Sequence, residues 1–299
     1  MPSPTVAPRP VVGRLLVLAA VLLWSTSGLF VRSGAFDVWP EAERGPLLAF
    51  WRALFVGGLL LPFVRRPRWK PPLLPMALSF ALMNATYLSA LTLTSAANAI
   101  WLQSTAPLWV FVVGVTLLGE PFRRRDIAPL LCGLAGIGLI LFFEIREALA
   151  GSRGSSPLGI GLGLISGVSY AGVVLALRRL RGEDSAWLVA LNHLAAAAVM
   201  LPYVVYLDRW PTPGQLPLLA AFGIVQMGLP YVLFARSLRH VTSQEATLIG
   251  LLEPLLMPLW VWLFVGEIPA SWTLAGGALI LAGLVARYAR RSDAAEELP

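Results

Sequence analysis

The chain has 299 residues, 57% of them hydrophobic and 13% charged, with a mean hydropathy of +0.74. A soluble domain averages about 45–50% apolar and about 25% charged residues, so this balance excludes a water-soluble globule and calls for lipid as solvent. The net charge of +7 sits in short loops between apolar runs, a pattern of membrane topology and not of a phosphate-binding face.

Met1 to Pro10 is Pro-rich and reads as a disordered lead-in, residues 1–11. The apolar run behind it is too long for a signal-peptide core and lacks a clear cleavage site, so it reads as a first span. Ten such runs fall at about 12–32, 46–64, 72–93, 96–118, 126–143, 157–177, 186–207, 215–235, 244–265 and 271–288. In lipid each should be a helix, because its backbone groups have no water to bond. Pro107, Pro230, Pro254 and Pro258 interrupt these runs, which is tolerated where neighbours or a cavity satisfy the freed carbonyls.

The loops orient the chain. Arg9, Arg14, Arg65, Arg66, Arg68, Lys70, Arg123, Arg124, Arg125, Arg178, Arg179, Arg181, Arg236, Arg239, Arg287, Arg290 and Arg291 fall on one side, 17 in all. Arg32, Arg44, Arg146, Arg153 and Arg209, five residues, fall on the other, and Arg52 lies within the second run. The basic side is the cytoplasmic one, so both termini should be cytoplasmic.

An internal repeat runs through these spans. Pro107-Leu108-Trp109 is followed, thirteen residues after the proline, by Glu120 in Gly119-Glu120-Pro121. Pro254-Leu255-Leu256 is followed at the same distance by Glu267 in Gly266-Glu267-Ile268, a shift of 147 residues that also relates Gly136 to Gly283. Five spans per copy force the second copy to start on the opposite face. The expected fold is therefore all-α and polytopic, ten transmembrane helices in two inverted five-helix repeats, residues 12–150 and 151–288, with a tail at 289–299. The Gly- and Ser-rich stretch Glu144 to Ser156 reads as the boundary. Inverted repeats point to a secondary transporter with its cargo near the bilayer midplane.

Much chemistry is excluded. Cys132 alone cannot make a disulfide framework or a thiolate metal site, and His193 and His240 are the whole histidine content. No Gly-x-x-x-x-Gly-Lys-Ser/Thr loop is present for ATP, and no Asp/His/Cys constellation supports a membrane-embedded enzyme. No cofactor, metal or nucleic-acid partner is expected; a monomer is compatible with the sequence, which leaves the oligomeric state open.

Leu252-Glu253-Pro254-Leu255 running to Gly266-Glu267, its copy from Pro107 to Gly119-Glu120, and Trp51-Arg52 in the second span resemble EamA-type transporters of the drug/metabolite transporter superfamily. The resemblance covers nearly the whole chain and implies ten helices in two inverted repeats. Length and aromatic content are most similar to the YddG-like exporters of aromatic amino acids. The repeat is degenerate at Arg52, whose counterpart region holds Asn192 and His193.

Arg within a span costs about 2.5–3.5 kcal/mol, so Arg52 should face protein or water. It could bind a substrate carboxylate or partner a gate, or form a structural ion pair or headgroup contact near the outer interface. Its place about six residues, roughly 9 Å, into the span favours the structural role. Glu253 could couple protons or bind an ammonium, or simply stabilise the proline-broken helix, and the family pattern favours the latter. Glu120 and Glu267, at helix ends, should make loop or capping bonds.

A better cavity candidate is polar and aromatic: Asn84 and Tyr87 on one helix face, Asn98, Trp101 and Thr105 on another. Gln226 and Tyr231 with Glu245 and Thr247 mirror them, and Trp24, Ser25, Ser27, Ser166, Ser169 and Tyr170 complete a ring. For each alone, interfacial anchoring or interhelical bonding is the competing role. Pro107 and Pro254 are candidate hinges. Gly159, Gly163 and Gly167 allow close helix packing, and Trp39, Trp69, Trp187, Trp210 and Trp272 read as an interfacial belt.

The expectation is a secondary transporter in the bacterial inner membrane, to which the Arg-heavy, Lys-poor usage points. Its cargo would be small metabolites, aromatic or large apolar amino acids first, exported from the cytoplasm by alternating access. A multidrug or nucleotide-sugar carrier on the same fold is the alternative.

Overall fold

Pro10 opens the first helix, where its missing N–H leaves nothing unsatisfied. The computed structural model describes residues 9–119, 124, 127–150, 156–180, 182–241 and 243–296, and among them every regular element is helical. In chain order these are α1 (Pro10–Trp24), α2 (Ser27–Val31), α3 (Glu41–Leu60), α4 (Leu73–Leu93), α5 (Ala96–Gln103), α6 (Ala106–Leu117) and α7 (Ile127–Leu149). There follow α8 (Pro157–Arg179), α9 (Ser185–Leu207), α10 (Leu216–Gly223), a π-helical turn at Ile224–Gly228, α11 (Leu229–Ser237), α12 (Ser243–Gly250), α13 (Glu253–Val265) and α14 (Ser271–Glu296).

Eight helical stretches are long and apolar enough to cross a membrane, from Pro10–Val31 to Leu216–Ser237, with Glu253–Val265 and Ser271–Ala286 as shorter apolar helices. The protein is a multi-pass membrane protein. Of its most apolar window, Leu73–Leu93 buries 72% and Ile127–Leu149 only 33%, so α4 is central and α7 peripheral.

Three of the stretches are broken, at Ser25-Thr26, Ser104-Thr105 and Leu251-Leu252. The last two breaks are 147 residues apart, and Pro107 and Pro254 each occupy the second position of the helix that follows. Serine and threonine take up carbonyls that the breaks release: Ser25 Oγ donates to Leu22 O, Thr26 to Leu23 O, Ser104 to Ile100 O and Thr105 to Leu102 O, all at 2.6–2.8 Å. The first break has no proline, and the sequence reading missed it.

The broken helices pair reciprocally with the other half. Arg14 on α1 reaches Glu245 on α12 at 2.5 Å, Ser27 on α2 reaches Met257 on α13, and Arg32 meets Glu267 beyond α13 at 3.1 Å. These two stretches therefore run side by side in one direction. Likewise Gly159, Gly163 and Gly167 of α8 lie on Leu93, Leu102 and Thr105, so α8 runs beside α5 with its backbone close.

Several expected boundaries move. Residues 1–8, Glu120 and residues 151–155 lie outside the described residues, and Pro10 and Val11 are already helical. Helix α7 continues through Glu144 to Leu149 because Glu144 is buried and accepts the Trp272 Nε1–H at 3.1 Å, so part of the expected boundary is helix. Residues 289–296, expected as a tail, extend α14. Trp39 is not an interfacial residue: it is buried and stacks on Phe36, with centroids 5.4 Å apart.

Candidate functional site

Arg52 lies on the inner face of α3 and is 2% exposed. The expected headgroup contact and ion pair are both replaced. Its Nη2 donates to Asn84 Oδ1 on α4, and its guanidinium carbon lies 5.1 Å from the Phe222 ring centroid on α10. Asn84 is fixed in turn by donating Nδ2–H to Ala49 O at 3.1 Å, which turns its oxygen towards the guanidinium. Arg52 Nε keeps no hydrogen-bond partner. Around it lie Tyr87, Tyr231 and Glu253, each in electrostatic reach.

Glu253 opens α13, one residue before Pro254. A carboxylate in a helix's first turn offsets the unpaired N–H groups there, and Glu253 is also within electrostatic reach of Arg52. Tyr87 shares its hydroxyl with Ser27 Oγ at 3.2 Å and approaches Met257 Sδ at 3.4 Å. Trp24 packs edge-on against Tyr231, with centroids 5.3 Å apart, and its carbonyl accepts Gln226 Nε2–H at 2.9 Å. Ser25 is buried and accepts the Trp260 Nε1–H at 2.9 Å. Trp24, Ser25, Arg52, Asn84, Tyr87, Gln226, Tyr231 and Glu253 thus gather where the breaks in α1–α2 and α12–α13 meet α3, α4 and the π turn.

Four expected members lie elsewhere. Asn98 accepts from Thr273 on α14 at 2.8 Å and donates to Thr94 Oγ1 at 3.2 Å. Trp101 packs onto Gly277, where any side chain would strike its ring. Both belong to the α5–α14 contact. Tyr170 is 41% exposed on α8. Ser166 bonds its own helix at Gly163 O.

His193 also borders this cluster, through the Tyr231 ring. It is 1% exposed, its Nδ1 lies 2.8 Å from Val189 O, and its ring lies 4.6 Å from Phe80 and 5.8 Å from Tyr231, between centroids. A buried imidazole turned back on a carbonyl of its own helix is legible in the sequence only as a departure from the repeat.

The EamA-like transporter family model matches the chain twice, over residues 11–142 and 157–287. The chain belongs to the EamA-like transporter family. An uncharacterised transporter of Archaeoglobus fulgidus is 32% identical to it over 276 residues, 90% of this chain and 93% of that protein. The pseudopaline exporter CntI of Pseudomonas aeruginosa is 26% identical, covering 92% and 95%. An S-adenosylmethionine/S-adenosylhomocysteine transporter of Chlamydia trachomatis is 26% identical, covering 89% and 86%. A protein of known crystal structure, 23% identical, superposes with a TM-score of 0.61 over 93% of this chain and 97% of that one, and shares the fold. This EamA-like protein is a small-molecule transporter and not an enzyme.

Proposed function

We propose that this EamA-like protein exports small metabolites from the cytoplasm by alternating access, with the cluster around Arg52 and Glu253 as its cargo site. The observation that carries this is a buried guanidinium in electrostatic reach of a half-buried carboxylate, with Tyr87 and Tyr231 around them. An amino acid presents the complementary pair, a carboxylate for Arg52 and an ammonium for Glu253. The aromatic rings suit an apolar side chain. Aromatic or large apolar amino acids are therefore the cargo class we favour, and the Chlamydia relative's cargo, an amino-acid derivative, is consistent with it.

The eight long stretches, α12–α13 and α14 make ten spans in this reading, arranged as two inverted repeats. Breaks 147 residues apart, the reciprocal pairing of broken helices and the twofold family match support the repeats. The asymmetry of 17 Lys and Arg against five supports cytoplasmic termini in a bacterial inner membrane. Pro107 and Pro254 serve as hinges, since neither has an N–H to bond the turn before it.

Uptake of labelled tryptophan into liposomes, with and without a proton gradient, tests the reading. Saturable uptake competed by phenylalanine but not by glutamate is expected. Equal signals from protein-free and protein-containing liposomes would remove the cargo class.

A further inference from the structure

Two hydrogen-bond acceptors in the cluster are left without partners. Gln226 is 2% exposed; its amide nitrogen is committed to Trp24 O, which fixes the orientation of the amide and leaves Oε1 unpaired. His193 is 1% exposed. Its Nδ1 faces the Val189 carbonyl, which can only accept, so that nitrogen carries the proton and Nε2 presents a bare lone pair, also unpaired. One ring connects them: Tyr231 lies edge-on to His193 and to Trp24, the residue whose carbonyl anchors Gln226.

An unpaired buried acceptor is costly, and Phe or Leu at position 193 would fill the space without one. Both acceptors are neutral and flanked by the rings of Phe80, Tyr231 and Trp24. An ammonium would bond more strongly to the Glu253 carboxylate than to these groups. What suits neutral acceptors among aromatic faces is a neutral N–H on a ring.

We infer that His193 Nε2 and Gln226 Oε1 form a subsite that accepts a hydrogen bond from an aryl N–H on the cargo's side chain, making His193 a specificity-determining residue. This rests on the cargo reading above and narrows it: indole-type side chains are selected over rings that lack the donor. The physical basis is asymmetric. A ring without N–H must enter and leave the acceptors unpaired, whereas a donor removes a cost already present in the empty site.

The test compares tryptophan with 3-(benzothiophen-3-yl)alanine, in which sulfur replaces the ring N–H, in liposomes carrying the intact protein. The sulfur ring is the more apolar, so a purely hydrophobic pocket would favour it. Wild-type protein should prefer tryptophan by roughly tenfold to a hundredfold in kcat/KM. His193→Phe should cut that preference severalfold, since Gln226 Oε1 is then the sole acceptor, and His193→Gln, which supplies an acceptor oxygen, should retain more of it. Equal handling by the wild type, a comparison that needs no variant, overturns the inference and leaves the amino-acid exporter standing. A preference undiminished in His193→Phe also overturns it. If neither compound is carried, the cargo reading itself has failed and this subsite falls with it.

Discussion

Gly136 and Gly283, 147 residues apart in sequence, make the same contact in opposite directions across one helix crossing. A side chain at Gly136 of α7 would strike the Gly276 carbonyl of α14, and one at Gly283 of α14 would lie 2.8 Å from the Pro129 carbonyl of α7. Pro129 and Gly276 are themselves 147 residues apart. Gly283→Ala should therefore destabilise the protein by about 1–3 kcal/mol through overpacking. Gly138, with open space around it, gives the control, because Gly138→Ala should be neutral or gain up to about 1 kcal/mol in helix propensity. Thermal unfolding in detergent checks both, and equal midpoints would refute the close crossing.

Glu267 ties three segments together at one end of the paired broken helices. It pairs with Arg32 at 3.1 Å and accepts the Ala96 N–H that opens α5 at 2.7 Å, while Arg32 also donates to Thr94 O at 2.5 Å. Glu267→Ala leaves a partly buried guanidinium without its carboxylate and should favour opening at that end. In a Cys132→Ser background, a cysteine at Ala96, buried in this structure, should react severalfold faster with a membrane-impermeant maleimide once Glu267 is removed. Arg14→Ala, which breaks the pair at the other end, should not produce that increase.

How far the sequence reached follows from what it encodes locally. Hydropathy placed the long helices because lipid leaves the backbone no alternative to internal hydrogen bonds. Glu267 was read as a capping residue and it bonds the start of α5. The break at Ser25-Thr26 escaped because it carries no proline, only hydroxyls that can serve carbonyls of either a straight or a broken helix. Helical spacing alone puts Asn98 and Trp101 in a shared cavity with Asn84 and Tyr87. That spacing gives the face of a helix but not its neighbour, and α14 is that neighbour. Sequence gives only the depth of Arg52 in its span, whereas its environment is set by Asn84 and Phe222, 32 and 170 residues away in sequence.

Tyr87 and Trp101 should now separate. Tyr87→Phe removes a hydroxyl shared with Ser27 beside Arg52, so in the cargo reading it should raise KM several-fold with little effect on the unfolding midpoint. Trp101→Ala empties a packed position against Gly277 and should cost about 3–5 kcal/mol. Its first symptom should be a lower midpoint, not an altered KM. Arg52→Ala should raise KM by roughly tenfold or more, since a buried charged hydrogen bond is worth about 1.5–3 kcal/mol. Measuring KM and melting on the same preparations distinguishes the three.

Asp184 supplies a pH test outside the spans. It caps α9 by accepting the Ala186 N–H at 2.9 Å, and its other oxygen accepts the Arg65 and Arg66 N–H groups at 2.9 and 3.1 Å. Nearby, Lys70 pairs with Glu183 at 2.5 Å and Trp187 donates to Arg68 O at 3.0 Å, so the loop before α4 is held against the turn before α9. Partial burial acts to raise the Asp184 pKa, but donation from the Arg65, Arg66, Ala186 and Trp187 backbones outweighs it and holds the carboxyl below its ordinary range. A carboxyl whose folded pKa is depressed contributes stability that is fully present above the unfolded value, about 3.9 for Asp. That contribution declines as pH falls through the folded value. Asp184→Ala should therefore cost about 1 kcal/mol at neutral pH. The gap between wild-type and variant midpoints should narrow on acidification below about pH 4. A gap that stayed constant or widened as the pH fell would mean that the carboxylate does not hold this junction.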